Sequence, residues 1–267
     1  MPGIRDEMKN TYLLALLFLV FNAYSQEGLQ TLSLIEVEGS HVEDIREIAH
    51  EVTPYVYTSS VDLRGLEVQE KKQAFINLML PSILIAKYKL EQHRKKVLRL
   101  RTKLDRLTSS DETYLSGLKK KYKCDSIEEL LLRLKTHPTS IVIAQAAIES
   151  GWATSRFYRE ANNIFGVWSY NENESRIRAD EDRQGKAVYV KKYDSLPESI
   201  ASYFQTIARG PYANFRVTRS QTDDVFELTP HLVRYSELRE EYVKRVEELI
   251  RYNELERYDR YVLKANE

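Results

Sequence analysis

The sequence has a single cysteine, Cys124, among 267 residues, so no disulfide can form within the chain. Glycine and proline, which most often mark turns, are also few, at 9 and 7. The 40 lysines and arginines are balanced by 40 acidic residues, and this lack of net charge argues against nucleic acid as a partner. Stability must therefore come from a packed core, and the abundance of Leu, Glu, Lys and Arg predicts that helices build it.

The spacings of known metal and cofactor sites are missing as well. The 5 histidines are scattered along the chain, and neither an HExxH motif nor a Cys/His cluster occurs. No phosphate-binding loop, nucleophile elbow or dinucleotide-binding fingerprint is present. We therefore expect neither a metal nor a cofactor.

A long apolar run occurs near the N-terminus, "YLLALLFLVF" at residues 12–21. Lys9 precedes it, and the small residues Ala23 and Ser25 follow it, which is the pattern of a secretory signal. The run is shorter than the ~20 residues that span a bilayer as a helix. We expect residues 1–25 to be a signal peptide that starts at Met8, and the mature chain to be periplasmic or secreted to the cell envelope without a transmembrane span. An uncleaved anchor helix is the alternative.

Three parts follow the predicted signal peptide. We expect residues 26–66 to form an irregular lead-in, residues 67–136 to form a helical extension packed on the region that follows, and residues 137–267 to form the main domain. Pro81 interrupts the first long helical pattern and predicts a kink or a break. The alternation in "AVYVKKY" and the "RQG" turn predict a small β-hairpin between Trp168 and Lys192.

Glu149 is the one charged residue between Ile141 and Ser155, in a chain that is 30% charged. The run around it is apolar on every side of a helix, which predicts a buried helix at residues 139–153. No lysine or arginine lies three or four positions away to pair with this carboxylate. Desolvation should raise its pKa, and a carboxylic acid that is neutral at working pH can protonate a leaving oxygen. The pattern favours a general acid, with a hydrogen-bonded structural glutamate as the alternative.

The segment "AQAAIESGWATSRFYREANNIFGVW", residues 144–168, resembles the signature of the endo-β-N-acetylglucosaminidase family in its Bax-like branch of bacterial cell-wall glucosaminidases. The motifs are Ala-x-Glu-Ser-Gly-Trp at residues 147–152 and Asn-Asn-x-Phe-Gly at residues 162–166. Residues 71–90, 193–204 and 235–250 resemble further segments of the family, so the likeness covers roughly residues 67–255.

The resemblance implies a mainly α, lysozyme-like fold with a small β-hairpin, and hydrolysis of the β-1,4 bond after N-acetylglucosamine in peptidoglycan. It assigns the general acid to Glu149. It also implies a loop that floors a sugar groove and a tyrosine near the site, while exposed aromatic rings can stack on sugars or pack within the protein. The predicted substrate-binding residues are Ser150, Trp152, Asn163, Phe165, Gly166, Trp168, Tyr170, Tyr189 and Tyr235.

Glycoside hydrolysis commonly uses a second carboxylate. The candidates in the predicted hairpin are Glu172, Glu174, Asp180, Glu181 and Asp182. We select Glu181, which lies close to the "RQG" turn, although solvated turn residues are the alternative for each candidate. The acetamido group of the substrate can replace a protein nucleophile, so hydrolysis does not depend on this choice.

Other functions stay open at this point. A lytic transglycosylase or muramidase of similar fold also carries Glu-Ser on a helix, but usually with a "GLMQ"-like segment that this sequence lacks. A non-catalytic glycan-binding protein could keep the groove without a second acid. Action on the chitobiose core of N-linked glycans ranks below peptidoglycan, because no pattern in the chain indicates a mannose-binding site.

Overall fold

The computed structural model describes residues 32–180, 182–183 and 185–264. The predicted signal peptide, residues 1–25, and Glu181 lie outside the described residues. Among the helices of the described part, none combines the length and the apolar character that a bilayer crossing requires.

Helices dominate the described residues, as the sequence predicted. The α-helices are α1 Val68–Arg101, α2 Ser109–Tyr122, α3 Ile127–Leu134, α4 Thr139–Ser150, α5 Arg156–Ala161, α6 Leu196–Arg209, α7 Ala213–Gln221, α8 Val225–Leu228 and α9 Glu240–Tyr252. The strands are β1 Ile35–Val37, β2 Glu51–Val52, β3 Tyr55–Tyr57, β4 Arg176–Arg178, β5 Tyr189–Lys191 and β6 Val262–Leu263. Short 3-10 segments occupy Val42–Asp44, Leu104–Arg106, Thr229–Leu232 and Leu255–Arg260. The predicted fold class, mainly α with a small β-hairpin, is confirmed.

Helix α1 runs through Pro81 without a break, contrary to that part of the prediction. Proline has no N–H, so the carbonyl of Asn77 loses its partner within the helix. Every residue from 74 to 86 is buried, and Leu80 and Ile83 on either side of the proline are fully enclosed. Burial of such side chains contributes about 1.5–3 kcal/mol each, which outweighs one lost hydrogen bond of about 1 kcal/mol.

Helix α4 lies at the centre of the molecule. It packs against α1, α9 and the 3-10 segment at Leu255–Arg260, and its residues 139–147 are all buried. The hydrophobic core that includes α4 also contains Val52 and Leu63 from the lead-in and Phe75 from α1. The domain boundaries drawn from the sequence stay a prediction, but the core extends through all three predicted parts of the mature chain.

The lead-in contains short strands that the sequence did not reveal. Strand β1 pairs in parallel with β3, and Ile35 lies opposite Tyr55. Strand β2 pairs in parallel with β6 near the C-terminus, and Val52 lies opposite Leu263. Strands of two or three residues are too short to show an alternating pattern, so these pairings depend on contacts that are distant in sequence.

The predicted β-hairpin is confirmed within residues 168–192. Strands β4 and β5 are antiparallel, with Ile177 opposite Val190. Beyond the strands, Trp168 forms a further bridge to Val190. The backbone N–H of Lys191 donates to the carbonyl of Val167 at 2.9 Å, so the loop that follows α5 is attached to the hairpin.

Candidate active site

Helix α4 is held at its N-terminus by Asp259. This carboxylate accepts hydrogen bonds from the backbone N–H and the hydroxyl of Ser140, each at 2.8 Å. Pro138 precedes the helix and provides no side-chain cap, so a carboxylate from the C-terminal 3-10 segment takes that role. The contact fixes the axial position of the helix and, with it, the position of Glu149 near the other end.

The C-terminus of α4 is a left-handed turn. Gly151, Trp152 and Ala153 have φ of 57°, 60° and 61°, so the helix ends at Ser150 rather than at the predicted residue 153. The Ser150 hydroxyl donates to the carbonyl of Ala146 at 2.6 Å and accepts from the N–H of Ala153 at 2.9 Å. Positive φ costs a residue with a side chain about 1–2 kcal/mol, and this strain lies immediately after Glu149.

Glu149 is half-buried, and among the described residues its one hydrogen-bond donor is the hydroxyl of Tyr242, at 2.8 Å from Oε1. Burial raises the pKa of Glu149, and the bond from Tyr242 lowers it by a smaller amount. No cation of the described residues contributes to this shift. The raised pKa agrees with the prediction from the sequence. The sequence did not reveal the hydrogen-bond donor to Glu149, because Tyr242 lies 93 positions away.

Tyrosine rings surround this carboxylate. The ring of Tyr235 stacks on that of Tyr242, with centroids 5.5 Å apart and an angle of 19°. Burial, and then the neighbouring phenols and Glu149, raise the pKa of Tyr235, and burial and Glu149 raise that of Tyr212. The prediction of a tyrosine near the site named Tyr235; the sequence did not point to Tyr212 or Tyr242 among its 18 tyrosines.

The Asn-Asn-x-Phe-Gly loop is fixed by its own side chains. The amide nitrogen of Asn163 donates to the carbonyls of Val167 and Lys191 at 2.9 and 2.8 Å, and its oxygen accepts from the N–H of Val167 at 2.9 Å. Phe165 is buried and stacks on Tyr203 with centroids 4.2 Å apart. Gly166 has φ of 61°, which glycine adopts without strain. These residues shape the loop, and their contact with a sugar stays a prediction.

Ser150 and Trp152 are both engaged in contacts within the protein. Ser150 is buried, and both of its hydroxyl bonds lie within the turn described above. The ring of Trp152 meets Phe75 of α1 edge-on at 5.2 Å, and the ammonium group of Lys72 lies 5.4 Å from its centroid. Trp152 therefore links the turn after Glu149 to α1.

The hairpin side of the site carries the exposed aromatic residues. Trp168 is 37% exposed and Tyr170 is 84% exposed, and their ring centroids are 6.2 Å apart. The guanidinium of Arg183 lies 4.9 Å from the Trp168 ring, and that of Arg176 lies 4.0 Å from the Tyr189 ring. Of the predicted sugar-binding residues, Trp168 and Tyr170 leave most ring surface open to a ligand.

The described hairpin acids are each engaged by a cation. Asp180 pairs with Arg156 at 3.1 Å, Asp182 with Arg178 at 2.8 Å, and Glu172 with Arg176 at 3.9 Å. Glu174 accepts from Lys191 at 2.9 Å and from the Ser169 hydroxyl at 2.7 Å. Burial raises the pKa of Glu174, but these bonds outweigh it and bring the pKa below its usual value. Glu181 lies outside the described residues.

Several known proteins are similar to this part of the chain. Residues 124–255, about half of the chain, match the model of the glucosaminidase family, which is described as mannosyl-glycoprotein endo-beta-N-acetylglucosaminidase. Over 93 residues the chain is 34% identical to protein bax of Escherichia coli (strain K12), which covers 34% of this chain and 32% of that protein. Over 76 residues it is 37% identical to exo-glucosaminidase LytG of Bacillus subtilis (strain 168), covering 27% of each. The chain thus spans about a third or less of these relatives' lengths.

Among solved structures, the catalytic domain of the autolysin Auto from Listeria monocytogenes aligns with a TM-score of 0.40 and 23% identity. The alignment covers 63% of this chain and 96% of that domain. The family match includes α4, the Asn-Asn-x-Phe-Gly loop, the hairpin and Tyr242. Residues 124–255 therefore belong to the glucosaminidase family, in agreement with the resemblance to its Bax-like branch.

Proposed function

We propose that this chain is an exported glycoside hydrolase that cleaves the β-1,4 bond after N-acetylglucosamine in bacterial peptidoglycan, with Glu149 as the general acid. The observation that carries the proposal is a half-buried carboxylate with a raised pKa and no cation beside it among the described residues. It lies at the end of a helix that is held at both termini. The match to the glucosaminidase family supports an N-acetylglucosamine-containing glycan as the substrate, and the resemblance to the Bax-like branch favours peptidoglycan among such glycans.

The geometry gives Glu149 both properties that a general acid needs. Before reaction, burial favours its neutral form, which holds the proton for the leaving oxygen. After transfer, the new carboxylate keeps the hydrogen bond from Tyr242 at 2.8 Å, which favours the charged form. Tyr242 thus stabilises the charge that develops on Glu149 as the glycosidic bond breaks.

The group that attacks the anomeric carbon must be different from Glu149. Glu174 is an ion-paired carboxylate with a lowered pKa, so it is ionised at neutral pH, and Lys191 balances its charge. Glu181 stays a prediction. The acetamido group of N-acetylglucosamine can itself attack, and this route requires no second carboxylate.

The test compares Glu149→Gln with Glu256→Gln, which removes an exposed carboxylate elsewhere. Purified Glu149→Gln should fold and lose lysis of isolated sacculi by a factor of 100 or more, on the order expected for removal of a general acid. Glu256→Gln should lyse like the wild type. Lysis at the wild-type rate by Glu149→Gln would exclude the proposed role.

Mass spectrometry of the products separates the remaining possibilities. Reducing N-acetylglucosamine ends support the proposal, whereas reducing muramic acid or anhydro ends indicate a muramidase or a lytic transglycosylase. Large fragments indicate endo cleavage; release of small units from chain ends indicates the exo action for which the relative LytG is named. Binding to sacculi without turnover would indicate a glycan-binding protein, and cleavage of a chitobiose core would redirect the proposal to N-linked glycans.

A further inference from the structure

The hydroxyl of Tyr242 has a second partner inside the protein. It donates to Glu149 and accepts a hydrogen bond from Nε2 of Gln145 at 3.0 Å. Gln145 is fully buried and precedes Glu149 by four positions, so both side chains lie on the same face of α4. Because the amide nitrogen can only donate, the Tyr242 proton is free to point only toward the carboxylate.

The same constraint extends further into the core. The Oε1 atom of Gln145 accepts from the Tyr203 hydroxyl at 2.6 Å, and that hydroxyl lies 2.9 Å from Nε2 of His137. Since Tyr203 gives its proton to Gln145, His137 must donate through Nε2. Its Nδ1 atom is then an acceptor and faces Nη1 of Arg219 at 3.4 Å.

Arg219 terminates this series. It is 1% exposed, and its guanidinium also donates to the carbonyl of Leu132 at 2.9 Å, near the end of α3. A guanidinium has donors only, so it cannot accept a proton from His137. Burial and the neighbouring cations Arg219 and Lys87 hold the pKa of His137 well below its usual value, which keeps the ring neutral. In every hydrogen bond of this series, the donor therefore lies on the Arg219 side and the acceptor on the Glu149 side.

We propose that His137, Tyr203 and Gln145 are positioning residues for the general acid: their buried hydrogen bonds fix the Tyr242 hydroxyl with its proton on Oε1 of Glu149. The inference rests on the proposed function of Glu149 and extends it into the core. If Tyr203 lost its hydroxyl, the Gln145 amide could turn over, and Tyr242 would then share its proton between the amide oxygen and the carboxylate. The carboxylate would lose part of its stabilisation.

The deciding pair of variants is Tyr203→Phe and Tyr158→Phe. Both tyrosines are fully buried, and Phe keeps the ring in each case. The Tyr158 hydroxyl donates to the carbonyl of Val61 at 3.0 Å, outside the series, so this control reports the cost of losing one buried hydrogen bond. Gln145→Met, which keeps the approximate shape and removes both polar atoms, is a second route should Tyr203→Phe not fold.

The charged and titratable groups around this path are few among the described residues. Tyr203, Tyr212, Tyr235 and Tyr242 face Glu149, and Arg219 and Lys87 face His137. None of the four phenols ionises near neutral pH, because burial raises each pKa. A change in the pH profile of Tyr203→Phe is therefore attributable to Glu149.

Two measurements test the inference. On soluble peptidoglycan fragments, Tyr203→Phe should lower kcat about tenfold with little change in KM, and should move the alkaline limb of kcat upward by about one pH unit. Titration of the Glu149 carboxyl by carbon NMR should show the same upward shift, and Tyr158→Phe should show neither change. A Tyr203→Phe protein with the wild-type profile and wild-type titration would overturn the inference. If Glu149→Gln still lysed sacculi, the proposed function would fail, but the NMR titration would still decide on the positioning residues.

Discussion

The hydroxyl of Ser60, in the lead-in, donates to the side-chain oxygen of Asn162 at 2.7 Å and contacts the carbonyl of Tyr158 at 3.2 Å. The hydroxyl of Tyr158 donates to the carbonyl of Val61, a bond that joins α5 to the lead-in and does not involve the loop. The lead-in therefore packs beneath the start of the Asn-Asn-x-Phe-Gly loop. The lead-in, for which the sequence suggested no role, thus supports the loop that begins at Asn162.

This support predicts that the lead-in contributes to stability. Leu63 is fully buried, and Leu63→Ala should lower the free energy of unfolding by about 2–5 kcal/mol, because it removes buried surface and leaves a cavity. Ile35→Ala is the control, since Ile35 is 48% exposed and should cost well under half as much. Urea denaturation measures both, and equal effects would contradict a larger contribution from the buried Leu63 than from the exposed Ile35.

The buried carboxylate predicts a gain in stability when it is removed. Burial raises the pKa of Glu149 in the folded state, so the folded protein holds this proton more tightly than the unfolded chain does. Stability is therefore lost as pH rises from the unfolded pKa through the folded one. Glu149→Gln should be more stable than the wild type at pH 7, and the difference should vanish in acid below the unfolded pKa. Thermal unfolding at several pH values measures it; a less stable variant at pH 7 would contradict it.

The left-handed turn predicts opposite effects for two glycine substitutions. Gly151→Ala should lower stability by about 1–2 kcal/mol, because its φ is 57° and the added Cβ would lie 3.1 Å from Oγ1 of Thr154. Gly117 lies within α2, with nothing within 4 Å of an added Cβ, and Gly117→Ala should raise stability by about 0.5–1 kcal/mol. Denaturant midpoints for the two proteins should move in opposite directions, and a stabilising Gly151→Ala would refute this account of the turn.

The exposed rings beside the hairpin predict a loss of glycan affinity without a loss of stability. Tyr170→Ala should raise KM for soluble peptidoglycan fragments several-fold, equivalent to about 1 kcal/mol of ring stacking. Tyr252→Ala is the matched control, since the two tyrosines are 84% and 78% exposed. Both variants should unfold like the wild type. A similar KM change in both would argue against a sugar contact at Tyr170.

The helix that carries Glu149 and the neighbouring hairpin were predictable from the sequence. The contrast between Glu149 and the apolar residues around it is local, so it indicated a buried helix, a desolvated acid and a raised pKa. The hairpin was predictable for the same reason, since alternation and a turn motif lie within one short segment. The helix end was not, because Trp152 and Ala153 adopt positive φ and neither residue type favours it.

The partners of Glu149 depend on contacts that are distant in sequence. Gln145, Tyr203 and Tyr242 lie on α4, α6 and α9, and they meet only after these three helices have packed together. Each is an ordinary residue in its own segment, and the sequence offers 18 tyrosines without a local sign that distinguishes these two. The continuity of α1 at Pro81 is a similar case, because it depends on the burial of the residues on both sides of the proline.

The two restraints on α4 come from one stretch of chain, with Tyr242 in α9 and Asp259 in the 3-10 segment that follows. The family match ends at residue 255, between them. A fragment trimmed to that boundary would keep the donor to Glu149 and lose the carboxylate that anchors Ser140 at the far end of the helix. If Glu149 acts as the general acid, we expect the smallest active fragment to extend past residue 255 and to include Asp259, which anchors the other end of α4.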